Sequence, residues 1–366
     1  MRIHIDEHRD SFRDAIGAFN ARLAAGGSAV RFPASPPAAR PGISTTCYLT
    51  VDEGAAVRGG YFLKAQEFLL AGRTETIADI QLPVSEGVVN RAYAQIAAIM
   101  LVDAQQRQPL LYGLGMGGRE EPVARLLRSA GWEMFSVPFY FHIVHPFRFL
   151  RNITYVRRSP LRRCVLDTLA FSGLGWLGTL GLRACYRSRV EKQSSVSAEL
   201  VDDFGDWADV LWTDHKSHYG LCAVRDGEVL RSLYPKDAPS FLRLKVMNGS
   251  RPLGWALLMN TQLSGHKQFG NMRLGSIVDC FAAPADAAIV IHEARAALQT
   301  AGVDLIASNQ SHRAWRAALK TSGFISGPSN FLFASSKALS RRLVDAGVRA
   351  DDIHVNRGDG DGPINL

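Results

Sequence analysis

Two stretches of the chain follow one pattern. Residues 55–87 read AAVRGGYFLKAQEFLLAGRTETIADIQLPVSEG, and residues 249–286 read GSRPLGWALLMNTQLSGHKQFGNMRLGSIVDCFAAPAD. Each runs from a small loop ending in Gly-aromatic (Gly60-Tyr61, Gly254-Trp255) into an apolar strand and a polar turn. A second strand then closes on Ile-x-Asp (Ile77–Asp79, Ile277–Asp279). Helical periodicity follows in NRAYAQIAAIMLVDAQ and AAIVIHEARAALQTAG, then a short buried-type strand, LLYGLGM or DLIASNQ. An amphipathic helix, REEPVARLLRSAGW or SHRAWRAALKTSGF, leads to an aromatic strand, VPFYFHIV or NFLFASS. Equivalent positions lie 194, 200 and 192 residues apart (Gly60/Gly254, Asp79/Asp279, Gly131/Gly323). We read a tandem duplication of one α/β unit of roughly 150 residues, in the order hairpin, strand, helix, strand, helix, strand. Gly131 and Gly323 stand where a helix needs a residue of positive φ just past its end.

A chain of 366 residues exceeds one ordinary core, in keeping with two domains. Boundaries are expected at 1–147 for the first, 148–195 for a connecting segment and 196–366 for the second with its Gly/Asp-rich tail. The five cysteines show no C-x-x-C spacing, which fits a reduced, cytoplasmic setting better than a disulfide framework. The charged start MRIHIDEHRD lacks the apolar run of a cleaved signal peptide. Between Arg148 and Lys192 ten Lys/Arg face only Asp167 and Glu191, so this segment carries +8, equal to the net charge of the whole chain. One basic strip on an otherwise neutral protein implies a local docking surface, and no nucleic-acid partner is expected. Within the strip, VLDTLAFSGLGWLGTLGL (165–182) holds one charge and four glycines. Arginines crowd both its flanks, so it reads as lying on an anionic membrane surface, peripheral on the inner face of the cytoplasmic membrane, or as packing between domains, more than as a span.

The order of elements and the Gly-Trp and Gly-Phe helix endings resemble the GNAT (Gcn5-related N-acetyltransferase) fold, present twice over residues 45–145 and 240–336. The arrangement is similar to acyltransferase-like proteins of bacterial exopolysaccharide gene sets and, more remotely, to the FemABX aminoacyltransferases. The resemblance implies an α/β (α+β) fold of two tandem GNAT-like domains, each a mixed, mainly antiparallel sheet flanked by helices. It also implies an acyl-CoA donor whose pyrophosphate sits on backbone amides after the fourth strand, where a helix N-terminus favours an anion. In the first copy the corresponding stretch is Leu82, Val84, Ser85, Gly87, Val88, Val89, Asn90 and Arg91. The second copy offers Pro284-Ala285-Asp286-Ala287-Ala288, with no glycine and an acid in the turn. The family's Asn and Tyr positions in the second helix hold Glu120 and Leu127 in one copy, His312 and Leu319 in the other.

Acyl transfer needs a base for the nucleophile and a polarised carbonyl. Asp79, Glu86 and Tyr140 are the first copy's candidates, and Asp279 repeats Asp79 in the second; the alternative for each carboxylate is a structural hydrogen bond. Arg225, Asp359 and Asp361 are candidates for holding the acceptor, against a structural ion pair and a disordered tail. His142/His145 and His215/His218 have H-x-x-H spacing, but no further ligand type completes either pair, so no metal is expected. The leading reading is an acyltransferase moving an acyl group from acyl-CoA to an amino or hydroxyl group of a sugar or lipid-linked precursor, in exopolysaccharide biosynthesis. The alternatives are a membrane-docked, non-catalytic GNAT-like scaffold and a FemABX-type aminoacyltransferase.

Overall fold

The computed structural model describes residues 3–35, 37, 40–157, 159–172 and 195–360, and the chain divides into two units. The first unit comprises Met1–Ser136 and Asn330–Arg349, the second Val137–Ser329 and the chain from Ala350 onward.

The first unit runs β1 (Ile3–Glu7), α1 (Arg13–Ala25), β2 (Ile43–Asp52), β3 (Val57–Leu70), β4 (Arg73–Ser85), α2 (Ile96–Arg107), β5 (Leu111–Gly115), α3 (Pro122–Ser129) and β6 (Glu133–Ser136). The second runs β7 (Phe139–Ile143), α4 (Pro146–Asn152), α5 (Pro160–Phe171), β8 (Val196–Val201), α6 (Asp206–His215), β9 (Leu221–Ala223) and α7 (Gly227–Leu233). It continues with β10 (Leu242–Asn248), β11 (Arg251–Gln262), β12 (Arg273–Ala282), α8 (Ala287–Thr300), β13 (Leu305–Asn309), α9 (Arg313–Thr321) and β14 (Ile325–Gly327). β15 (Leu332–Ser335) and α10 (Lys337–Asp345) return to the first unit, and β16 (Ile353–His354) belongs to the second.

The sheets share one plan. The first has the order β1-β2-β3-β4-β5-β15-β6 and the second β14-β7-β13-β12-β11-β10-β8. All pairs along these paths are antiparallel except β4 with β5 and β12 with β13. Along each of these paths one strand comes from the far side of the repeat: β15 pairs with β5 and β6, and β7 pairs with β13 and β14. This moves the expected boundary: residues 137–147 join the second unit and 330–349 the first. An aromatic strand announces itself by composition, but its partner is chosen by long-range packing. Here Phe333 of β15 lies 5.7 Å from Tyr112 and 5.0 Å from Phe135 between ring centroids, contacts of about 0.5–1.5 kcal/mol each.

Alternation along β3 builds two layers in the first unit. Tyr61 and Leu63 face α2 and α3 with Ile80, Met100, Leu111, Leu127 and Trp132, whereas Phe62 faces α1 with Phe19, Leu23 and Phe32. The Gly-aromatic signature of the repeat is a packing requirement. A Cβ at Gly60 would stand 2.7 Å from the Phe32 ring, and one at Gly254 2.7 Å from the Phe281 carbonyl. Both helices of the GW/GF pattern end alike, with Gly131 at φ 79° and Gly323 at φ 82°. Trp132 N donates to Leu127 O and Phe324 N to Leu319 O, so the last carbonyls are satisfied by a left-handed turn.

In the basic connecting segment, α4 and α5 are held by Asp167, which bonds Arg151 at 2.9 Å and Arg157 at 2.7 Å. Residues 173–194, most of the 165–182 stretch, lie outside the described residues. Among the described residues no helix is long and apolar enough to cross a membrane.

Candidate active site

The turn after β4 is not a direct strand-to-helix step. Glu86–Val88 and Arg91–Tyr93 form two single 3-10 turns, and α2 begins only at Ile96. Five amides bond within the segment: Val89 N and Asn90 N to Glu86 O, Ala92 N to Asn90 Oδ1, Tyr93 N to Asn90 O and Ala94 N to Arg91 O. Gly87 lacks a side chain because its Cβ would meet Tyr93 O at 2.7 Å and Ala94 Cα at 2.9 Å. Ser85 and Val84 are buried and Val88 is exposed. Glu86 is buried against two cations, accepting from Arg22 Nε and Arg58 Nη1 at 3.0 Å each. Arg91 stays exposed, five residues ahead of the first residue of α2.

Asp79 sits where two strands part. The parallel pairing of β4 with β5 covers Ala78↔Leu111 and Asp79↔Tyr112, and among the described residues no third strand enters between them. Asp79 is 1% exposed, accepts from Gln81 Nε2 at 2.8 Å and faces Lys64 across the β3 register. Beyond it β4 bulges, with Leu82 at φ 46° and 42% exposed. Across the gap β5 ends in a run of positive φ: Gly115 at 99°, Met116 at 53°, Gly117 at 76° and Gly118 at 134°. A Cβ on Gly113 would touch Ile80 and Met116 at 3.7 and 3.8 Å, so the two strand ends close over the apolar layer of α2 and α3. A non-glycine residue in the left-handed region costs about 1–2 kcal/mol, and such strain gathers where structure serves a ligand. Met116 is the residue that sequence reasoning missed here, and the strain at Leu82, a candidate for its place in the turn, was not foreseen. The glycine-dense GLGMGG was the available signal.

The same place in the second unit is filled. β12 pairs with β13 from Leu274↔Leu305 to Ile277↔Ser308, and past that point both strands turn to residues 353–359. Cys280 O lies 2.9 Å from His354 Nε2, Ser311 N donates to Val355 O, and Gln310 bridges Asn356. Asp279, fully buried, accepts from Arg225 Nε at 3.0 Å, Tyr234 Oη at 2.8 Å, Asn356 Nδ2 at 2.7 Å and its neighbour Cys280 N at 2.8 Å. Arg225 Nη2 donates to Asp359 Oδ1 at 2.8 Å, and Asp359 Oδ2 accepts from Asn356 N at 2.9 Å. Three candidates widely separated in sequence thus meet, spent on one another. Burial lifts the Asp359 carboxyl against the pull of the Arg225 guanidinium, and burial also pushes the Cys222 thiol up to about 12. Asp361 lies outside the described residues. Of the tail, Gly358, Asp359 and Gly360 are buried. The second unit's strand-to-helix turn is short, with Asp286 as the residue before α8 and no side-chain cap bond from it.

Tyr140 belongs to the second unit, on β7 between Ser308 and Ser326, while Asp79 and Glu86 belong to the first. The strand exchange is the reason. Burial raises its phenol pKa. Among the described residues no group of three His, Cys, Asp or Glu is placed to hold a metal ion. His312 caps α9, accepting from Ala314 N at 3.3 Å.

Burial, with Arg313 next, holds His312 at about 4 against an ordinary 6.5, and burial keeps His354 well below it. Both imidazoles are therefore neutral in the fold, and protons bind the unfolded chain better. Stability present above pH 6.5 is lost as pH falls towards 4. His312 alone accounts for about 2 kcal/mol by roughly pH 5. Denaturant midpoints should drop between about pH 7.5 and pH 5, and His312→Gln should flatten the drop. An unchanged slope in that variant contradicts the assignment.

No protein-family model matches the sequence, and no curated protein matches it. Solved structures match along nearly the whole chain. A GCN5-related N-acetyltransferase from Anabaena variabilis ATCC 29413 superposes at a TM-score of 0.54 with 10% identity, over 94% of this chain and 75% of that one. A conserved protein of unknown function from Enterococcus faecalis V583, described as a probable N-acyltransferase, matches at 0.52 with 9% identity over 94% and 75%. N-myristoyltransferase of Saccharomyces cerevisiae, solved with bound myristoyl-CoA, matches at 0.51 with 9% identity over 92% and 78%. Likeness at such identity is likeness of fold. The chain has a mixed α/β, tandem GNAT-like fold, as the duplicated element order implied.

Proposed function

We propose that this chain is an acyltransferase taking its acyl group from an acyl-CoA thioester held by the first unit. The observation that carries the reading is the difference between the copies at one equivalent place. Residues 353–359 occupy the parting strands of the second unit, while β4 and β5 part over a glycine-rich, strained mouth. An extended chain bearing amides, such as the pantetheine arm of coenzyme A, adds naturally to a strand that has left its neighbour. The diphosphate would then lie towards Arg91 and the first turn of α2, whose amides are not spent on the preceding turns. Asp79, at the root of the gap, is assigned the acceptor's proton. The acceptor's nitrogen or oxygen bonds the thioester carbonyl carbon, its proton passes to the Asp79 carboxylate, and the carbon–sulfur bond breaks to release the CoA thiolate.

The acceptor proposed is an amino or hydroxyl group on a sugar or lipid-linked precursor of an exopolysaccharide, met at the cytoplasmic face of a membrane. The basic connecting segment supports that setting. A second reading, a non-catalytic ligand-binding scaffold, is favoured by Leu127 and Leu319, which are buried where the family pattern places an acid. An aminoacyl-tRNA donor fits less well with charge confined to one segment.

Calorimetric titration of the full chain with acetyl-CoA and longer acyl-CoAs separates these readings. One site per chain is expected, with a Kd of roughly 1–100 μM weakened at least ~10-fold by Arg91→Glu. No heat with any CoA thioester contradicts the transferase.

A further inference from the structure

We infer that the α4–α5 hairpin docks the protein on an anionic lipid bilayer, through an apolar stripe that faces outward and is framed by arginines. This stands apart from the acyl-transfer reading and would hold for a scaffold as well.

α5 is turned inside out for a helix of a water-soluble surface. Ala170 marks its buried side, while Leu161, Cys164, Val165, Thr168 and Phe171 line the opposite one at i, i+3, i+4, i+7 and i+10. Leu161 is 75% exposed, Val165 50% and Phe171 69%, and Phe147 of α4, 49% exposed, meets Phe171 edge-on at 5.5 Å. Exposed large apolar residues gathered on one element mark an interaction surface, where scattered ones would not.

Charge decides the partner. Arg148 of the described hairpin pairs with Asp304 at 3.2 Å, and Arg151, Arg157, Arg162 and Arg163 face a single carboxylate, Asp167. That carboxylate is turned to Arg151 and Arg157, and the Arg157 guanidinium holds it below its usual range. Arg162 and Arg163 are exposed, Arg162 towards the edge of the stripe and Arg163 round the helix near Ala170, with its Nε donating to Arg157 O at 2.9 Å. Apolar side chains beside cations in excess of the acids that pair with them match a surface whose outer layer is anionic and whose interior is hydrocarbon. Arginine suits the place, since its stem lies along apolar surface while its head meets phosphate.

Flotation of the full chain with phosphatidylcholine vesicles, with and without phosphatidylglycerol, tests this. The protein should float with the anionic vesicles, stay behind with the neutral ones, and be released by high salt. Leu161→Gln with Val165→Gln should lower the bound fraction at least ~10-fold, and so should Arg162→Glu with Arg163→Glu. Leu161→Gln alone, at so exposed a position, keeps the fold and should lower it measurably. Equal binding to neutral vesicles, no binding by the unaltered chain, or undiminished binding by the variants overturns the proposal. So does a dimer in sedimentation that the stripe variant abolishes while vesicle binding persists, since the surface would then serve a second copy.

Discussion

Asp279→Ala is expected to destabilise the second unit by about 3–5 kcal/mol, lowering its melting temperature by roughly 10 °C. The carboxylate accepts from Arg225, Tyr234 and Asn356 in a site with no solvent access, so removing it leaves a buried guanidinium short of one partner and two neutral donors unpaired. Gly358, whose Cβ would collide with Tyr234 Oη, then loses the geometry that seats residues 353–359. Arg225→Met should be comparably harmful, leaving Asp279 and Asp359 to repel each other. Combining Asp279→Leu with Arg225→Met should recover part of the loss caused by Arg225→Met alone, because it removes the repulsion between Asp279 and Asp359 and leaves a single buried carboxylate. Thermal unfolding with a double-mutant cycle measures this. Single losses under about 1 kcal/mol would show that the network does not hold the unit together.

Asp79→Asn should act on rate instead. The proposal gives this carboxylate the acceptor's proton, a role worth about 100- to 10,000-fold in turnover. Asparagine keeps the shape and still accepts from Gln81 Nε2 through its oxygen. Donor affinity and melting temperature should stay near those of the unaltered chain while kcat falls. The pair of variants therefore divides the two aspartates by role, one read in stability and the other in chemistry. A loss of stability from Asp79→Asn equal to that from Asp279→Ala, with no specific loss of turnover, would make both carboxylates structural.

Much of the architecture was legible because it is local. Periodicity marked α2, α3, α8 and α9, and the glycines at 131 and 323 marked where two of them end, since only a left-handed residue lets the final carbonyls find donors. The spacing that matched Asp79 with Asp279 does not carry into the register, where Ile277 holds the place in the last parallel pair that Asp79 holds in the first sheet. What escaped depends on contacts between distant segments. Nothing in VPFYFHIV or NFLFASS states that each strand joins the opposite sheet. Nothing in NRGDGDG states that Asp359 meets Arg225, for a Gly/Asp run reads as solvated chain until a buried cation claims it. The turn at Gly87 looked like an anion cradle because a lone glycine beside a helix has two readings, close approach to a ligand or to the chain itself. Here it approaches Tyr93 and Ala94. The strain at Leu82 and Met116 was hidden for another reason: neither residue type advertises positive φ.

The most direct measurement is a crystal structure of the full chain with a non-hydrolysable acyl-CoA analogue. The account predicts one analogue per chain, its pantetheine arm between β4 and β5 beyond Asp79 and its diphosphate near Arg91, with residues 353–359 still seated against Asp279. An analogue lodged between β12 and β13 with that segment displaced, or no analogue bound at saturating concentration, would contradict it.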